Sequence, residues 1–70
     1  MMKTETFYKN KHLKGAIIYV KRIISRELTG DTALISWWRW DDSINKLVDM
    51  NIDDEMFFPR KKNEWEETNL

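Results

Sequence analysis

Short runs rich in apolar, β-forming residues recur along this sequence, and one of them alternates between apolar and polar positions, as half-buried β-strands do. The first run lies between Gly15 and Gly30, and five of its first nine residues are Ile or Val. Such β-branched side chains favour a pleated surface. Apolar residues of this run also recur at helical spacing, so a helix is the alternative for residues 16–28. We expect a strand there.

Two further runs follow this segment. Thr29-Gly30-Asp31 is a compact turn signal, and Thr32 to Trp40 is again rich in β-forming residues, so the first two runs predict an antiparallel hairpin. Lys46 to Ile52 then alternates between apolar and polar residues, as expected of a third strand. The alternative is that Ser43 caps a short helix at this point.

The remaining segments are short. Carboxylates begin the segment from Asp53 to Phe58 and Pro59 follows it, which predicts a helical turn. Thr4 to Tyr8 is a candidate edge strand. Residues 60–70 are mostly charged, so this stretch either frays or is docked onto the body of the domain by Trp65.

Together these elements predict a single, mostly-β domain over residues 1–70, because a chain of 70 residues leaves no room for a second domain. Three strands, an edge strand and one helical turn resemble, in outline, a small SH3-like barrel that is partly open. The resemblance is architectural and no motif carries it. An α+β fold with a single helix is the alternative.

Three tryptophans crowd the second run, in the sequence Ser36-Trp37-Trp38-Arg39-Trp40. On a strand, Trp38 and Trp40 share one face with Ser36, whereas Trp37 and Arg39 share the other. A small barrel has one interior, so we expect at least one of these rings at the surface. An exposed Trp beside Arg39 is typical of a contact hot spot. The alternative is that all three rings cover a core too small to close, with Arg39 laid along a ring.

The adjacent aromatics Phe57 and Phe58 raise the same question, because neighbouring side chains on a strand point to opposite sides. Either they pack as a lid over the end of the barrel, or they add to a contact surface. The expected partner-binding residues are Trp37, Trp38, Arg39, Trp40, Tyr19, Phe57 and Phe58.

The formal net charge is zero, but the charges are unevenly distributed along the chain. Residues 1–28 hold seven Lys or Arg and two Glu, whereas residues 29–70 hold five basic and ten acidic residues. The folded chain therefore has either a basic and an acidic face, or an ordinary surface on which folding interleaves the two signs. Basic residues near aromatics also suggest contact with nucleic acid, although the sequence pI of about 6.6 weighs against it. The candidates for that contact are Lys9, Lys11, Lys14, Lys21 and Arg22.

Residues that catalysis or metal binding requires are sparse. The chain has no Cys, and nothing marks a serine as the partner of its one histidine, His12. The carboxylates of Asp41-Asp42 and Asp53-Asp54-Glu55 lack the glycine-containing loop of a calcium site, so we expect turns and caps there. We therefore expect no enzymatic activity, no metal and no cofactor.

The sequence also bears on location. Its longest uninterrupted apolar run, Ala16 to Val20, is far shorter than the ~20 residues of a membrane-spanning helix. The N-terminal residues lack the apolar core of a signal peptide, and a chain without cysteine fits a reducing compartment. We expect a cytoplasmic protein without a membrane partner.

These observations lead to one expected function and two alternatives. We expect a small non-enzymatic protein-binding module of a phage or mobile element, which binds a host protein and inhibits or modulates it. The first alternative is a small barrel that binds nucleic acid through its basic N-terminal half. The second is a structural subunit that associates with copies of itself into a homo-oligomer.

Overall fold

The structure is a computed structural model that describes residues 3–57 and 64–69, and these form one five-stranded antiparallel sheet. The strands are β1 (Thr6–Asn10), β2 (Ala16–Ile24), β3 (Thr32–Asp41), β4 (Lys46–Phe57) and β5 (Trp65–Glu67). They lie side by side in the order β4-β3-β2-β1-β5. The first four strands form a meander, and β5 pairs with β1 at the edge opposite β4.

Short polar side chains shape two of the hairpin connections. Between β1 and β2, Asn10 Oδ1 accepts hydrogen bonds from the backbone N–H groups of His12 at 2.8 Å and Leu13 at 2.9 Å. Between β3 and β4, Asp41 Oδ1 accepts a hydrogen bond from the backbone N–H of Ser43 at 3.0 Å. In such turns a side-chain oxygen replaces a backbone acceptor and reverses the chain within a few residues.

One face of the sheet forms the hydrophobic core. Ile18 and Val20 on β2, with Ala33 and Ile35 on β3, have no exposed surface. The pairing of Val20 with Ile35 across the ladder places them on the same face, called the inner face below. The core cluster is completed by Tyr8 and Trp65, and Ala16, Ile23, Trp37 and Met56 pack against it. Every one of the five strands therefore contributes to this core.

The sheet curves around this core. Trp37 on β3 and Trp65 on β5 are three strand positions apart, which is about 14 Å in a flat sheet. Their ring centroids nevertheless lie 6.1 Å apart. Within the described residues β4 and β5 remain the two edges, so the sheet is not closed. The mostly-β prediction is confirmed, whereas the partly open SH3-like barrel is not.

Strands form in the three main predicted segments, although β2 ends at Ile24 and not at residue 28. The candidate edge strand forms as β1 but lies between β2 and β5, so it is not an edge. The predicted helical turn is wrong. Asp53 to Phe57 continue β4 and pair with Thr32 to Ser36 of β3. Pairing along a neighbouring strand overrides the local preference of clustered carboxylates for the start of a helix. Phe58, the last residue of the predicted turn, lies outside the described residues.

The α+β alternative is also wrong, because the described part of the chain contains no α-helix. The segment after Ser43 turns directly into β4, so the short helix considered there does not form. No helix long and apolar enough to cross a bilayer occurs among residues 3–57 and 64–69.

The structure describes residues 64–69 of the segment from 60 to 70. There Trp65 to Glu67 form β5, and Trp65 is buried, with 8% of its surface exposed. Backbone hydrogen bonds flank the short ladder, since Lys11 N–H donates to the Glu64 carbonyl at 2.7 Å and Thr68 N–H to the Phe7 carbonyl at 3.0 Å. The indole and these bonds hold the strand against β1.

Candidate functional site

The second face of the sheet carries a cluster of large side chains. Phe7 on β1 lies directly opposite Tyr19 on β2, and Ile17 on β2 lies directly opposite Trp38 on β3. Trp40 follows Trp38 on the same side of β3, because side chains two residues apart on a strand share a face. These five residues, called the outer aromatic face, lie on the side of the sheet opposite the core.

Ring contacts organise the outer aromatic face. The centroids of Phe7 and Tyr19 are 4.8 Å apart, and those of Phe7 and Trp38 are 5.4 Å apart in an edge-to-face arrangement. Because β2 lies between β1 and β3, the second contact spans Ile17, which is only 5% exposed. Trp38 Nε1 donates a hydrogen bond to Ser36 Oγ at 2.9 Å, which fixes the orientation of the indole. The face is therefore an ordered platform.

This platform remains accessible to a partner. Phe7, Tyr19 and Trp38 are half-buried, and Trp40 is exposed over 37% of its surface. Large aromatic side chains packed in this way lose little conformational entropy when a partner covers them, because they are already held in place.

Ion pairs border the outer aromatic face. Lys9 Nζ lies 3.1 Å from a carboxylate oxygen of Glu66, and Lys21 Nζ lies 2.8 Å from Asp53 Oδ2. These cations are thus compensated by neighbouring carboxylates. On the β4 side, Asp49 lies opposite Trp38 in the ladder. The border is polar and close to neutral around an apolar centre.

A groove of about 850 Å³ adjoins this face at the connection between β1 and β2. Ile17 and Trp40 contribute its apolar wall, and its basic wall carries Lys11, His12 and Lys14. We call it the basic groove. Lys9, Asp42 and Glu66 also line it.

The charges of the basic groove are not all compensated. Within the described residues, neither Lys11 nor Lys14 takes part in an ion pair.

At the end of β3, hydrogen bonds from the Ser43 side chain and backbone lower the pKa of Asp41 below its usual range. The guanidinium of Arg39 lies 3.1 Å from Asp41 Oδ2 and favours the same charged form.

The structure brings together only some of the residues expected to bind a partner. Tyr19, Trp38 and Trp40 belong to the outer aromatic face, whereas Trp37 alternates to the inner face and packs against Trp65. Arg39 alternates to the same side as Trp37 and pairs with Asp41 instead of lying along a ring.

Of the two adjacent aromatics Phe57 and Phe58, the structure describes only Phe57. Phe57 is 57% exposed and lies opposite Thr32, at the far end of β3 from Trp40. Phe58 lies outside the described residues.

The residues expected to bind nucleic acid also lie in different parts of the sheet. Lys9, Lys11 and Lys14 line the basic groove. Lys21 is the extra residue at a register shift of β2 and pairs with Asp53. Arg22 lies opposite Leu34, towards the other end of the sheet. The five residues therefore do not form one basic surface.

Phe7 and Ile17 are members of the site that the sequence did not single out. Alternation within β1 separates Phe7 from the core residue Tyr8, but only the pairing of β1 with β2 brings Phe7 to Tyr19. No cluster of three or more His, Asp or Glu side chains suited to a metal ion occurs among residues 3–57 and 64–69.

Comparison of the chain with protein-family models, with curated proteins and with solved structures finds no match.

Proposed function

We propose that this protein is a non-enzymatic protein-binding module whose contact surface is the outer aromatic face. One observation carries the proposal: a second apolar cluster, separate from the core, is built from Phe7, Ile17, Tyr19, Trp38 and Trp40 and remains partly exposed. A ring that served the fold alone would be packed into the core, whereas Phe7, Tyr19, Trp38 and Trp40 keep surface exposed to solvent. Aromatic rings held outside the core are therefore better explained by recognition than by folding alone.

The composition of this surface resembles that of protein interfaces. Such interfaces have a centre enriched in Trp, Tyr and Phe and a polar border that excludes water. Here the border consists of ion pairs such as Lys9–Glu66 and Lys21–Asp53. Nucleic acid requires uncompensated positive charge along its path, and the carboxylates at this border oppose it.

We also propose the finer architecture and the biological setting. A core shared by all five strands and the contact of Trp37 with Trp65 support an SH3-like, partly open barrel. The small size of the chain and its aromatic crowding support a phage or mobile-element protein that occupies a host protein and inhibits or modulates it. A sequence without cysteine fits a cytoplasmic location.

The proposal is tested by selection from a displayed library of random 12-residue peptides on the immobilised protein. We expect enriched peptides to bind wild type and to lose about 30-fold in affinity with Trp40→Ala, the change typical of a hot-spot residue. Trp40 is exposed, so this variant should keep the fold, which far-UV circular dichroism checks.

Leu28→Ala is the matched control, because Leu28 is 99% exposed and lies in the connection between β2 and β3, away from the outer aromatic face. This variant should bind the enriched peptides as wild type does. Failure to enrich any peptide, together with a mass in light scattering that increases with protein concentration, would favour self-association over a foreign partner.

A further inference from the structure

The outer aromatic face and the basic groove form one continuous surface. Ile17 and Trp40 belong to both, since they are part of the aromatic cluster and also line the groove. A partner seated on the aromatic rings and extending along β3 towards Trp40 therefore reaches Lys11 and Lys14.

Charge along this surface is asymmetric. At the groove end, Lys11 and Lys14 have no ion-pair partner within the described residues. On the β4 side, Asp49 lies opposite Trp38 and likewise takes part in no ion pair in the described part of the chain. The surface thus offers uncompensated positive charge at Lys11 and Lys14 and an unpaired carboxylate at Asp49, beside Trp38.

This asymmetry distinguishes between two classes of ligand. A single nucleic-acid strand carries a phosphate at every nucleotide, so a strand that runs from the groove across the outer aromatic face would also bring phosphates to Asp49, beside Trp38. A peptide can confine its negative charges to one end. The arrangement therefore favours a peptide over a polyanion.

We infer that the partner of this module presents an extended acidic segment, with an apolar side chain on the outer aromatic face and carboxylates at Lys11 and Lys14. The inference rests on the proposed protein-binding function and specifies the chemistry of the partner. The lysine ammonium groups and the His12 ring provide hydrogen-bonding groups for those carboxylates. The groove volume of about 850 Å³ lies within the usual range for ligand sites.

The test uses the same library of random 12-residue peptides, selected in parallel on wild type and on two variants. Lys11→Gln/Lys14→Gln removes two positive charges from the groove. Arg22→Glu changes the net charge by the same amount at the other end of the sheet and serves as the control. All three proteins are compared by far-UV circular dichroism before selection.

We expect peptides enriched on wild type to combine Asp or Glu with an aromatic or aliphatic residue. Their affinity should fall about 5- to 30-fold on Lys11→Gln/Lys14→Gln, the effect of losing two exposed charge pairs. It should stay within about twofold of wild type on Arg22→Glu. The affinity loss should diminish as salt is raised, because exposed charges are screened.

Other outcomes overturn the inference in distinguishable ways. Enriched peptides without acidic bias, or equal loss with both variants, would reject the acidic partner while leaving protein binding intact. A library that yields no binder would reject the proposed function and, with it, this inference. Tighter binding of a 12-nucleotide oligothymidylate at Lys11 and Lys14 would assign the groove to nucleic acid instead.

Discussion

At the scale of single residues, the buried hydroxyl of Thr32 makes no hydrogen bond within the described part of the chain. Thr32 begins β3 and is 5% exposed, and its Oγ1 has no hydrogen-bond partner among the described residues. A buried polar group without a partner loses its interaction with water and gains nothing in return, at a cost of about 1–3 kcal/mol. Threonine is well suited to a strand by shape, but its oxygen is unfavourable here.

Replacing this hydroxyl with a methyl group should stabilise the fold. We expect Thr32→Val to raise the free energy of unfolding by about 1 kcal/mol, because the shape is kept and the unsatisfied oxygen is removed. Thr32→Ser is the control: it keeps the oxygen, loses the methyl group and should lower stability by about 1 kcal/mol. Urea denaturation followed by tryptophan fluorescence measures both. A less stable valine variant would show that the hydroxyl is satisfied after all.

Single residues also show which part of the site was predictable. Alternation along β3 correctly separates Trp38 and Trp40 from Trp37, because side chains alternate across a strand whatever the neighbouring strands do. The contact of Phe7 with Trp38 was not predictable in this way. It depends on β1 lying beside β2, and local sequence does not specify which strands become neighbours.

At the scale of elements, β4 and β5 are the strands that the sequence described least well. The 12 residues of β4 include a register shift at Met50 and Asn51, where Asn51 has a φ of 56° and its N–H donates to Asp49 Oδ1 at 2.8 Å. Its acidic second half was predicted to be helical. Pairing with β3 and the ion pairs Lys21–Asp53 and Arg26–Glu55 hold it as a strand. The two ion pairs join residues that are 32 and 29 positions apart in sequence, beyond the reach of local patterns.

β4 is also an exposed edge, and its features are those that prevent edge-to-edge aggregation. A register shift bends the strand, and carboxylates such as Asp49 and Asp54 repel a second copy of the same edge. The carboxylates that led to the helical prediction at Asp53 to Glu55 therefore act here as charged residues of an edge strand. Charged residues of this kind disfavour pairing of the edge with a second strand.

β5 depends on one large side chain. Trp65 is the buried residue of this three-residue strand and packs against Trp37. We expect Trp65→Ala to lower the free energy of unfolding by about 3–5 kcal/mol, because it removes a buried indole from the core. A domain this small has only about that much stability, so the variant should be largely unfolded at 25 °C.

Two further variants show whether the loss of stability in Trp65→Ala comes from the buried position of this ring. Trp65→Phe should be folded but less stable than wild type, since it restores part of the ring contact. Trp40→Ala removes a ring from the outer aromatic face and should cost less than Trp65→Ala, because Trp40 is 37% exposed. Far-UV circular dichroism in urea compares the three. Equal stability of Trp65→Ala and wild type would mean that β5 adds little to the core.

At the scale of the whole molecule, folding interleaves the unequal charges of the two parts of the sequence. Four of the ion pairs join a basic residue of positions 1–28 to an acidic residue of positions 29–70. They are Lys3–Glu67, Lys9–Glu66, Lys21–Asp53 and Arg26–Glu55. Each is exposed, and such pairs typically contribute about 0.2–1 kcal/mol. Of the two arrangements considered from the sequence, these pairs match the interleaved surface, and Lys11 and Lys14 stand out against it.

The pairing of β1 with β5 also has a mechanical consequence. Phe7 and Thr68 lie at one end of this antiparallel ladder, and Lys11 and Glu64 lie at the other. Tension applied between residues 3 and 69 therefore loads the hydrogen bonds one after another, starting with that between Thr68 and Phe7. Tension between residues 11 and 69 loads them together in shear.

Because the chain has no cysteine, introduced thiols can serve as specific handles for optical tweezers. We expect Lys3→Cys/Asn69→Cys to yield at a lower force than Lys11→Cys/Asn69→Cys. Equal rupture forces would mean that resistance arises elsewhere in the sheet. With the first pair of handles, β5 should peel away first and uncover Trp37, so a small pull near the ends of the ladder would open the core before the meander of β1 to β4 gives way.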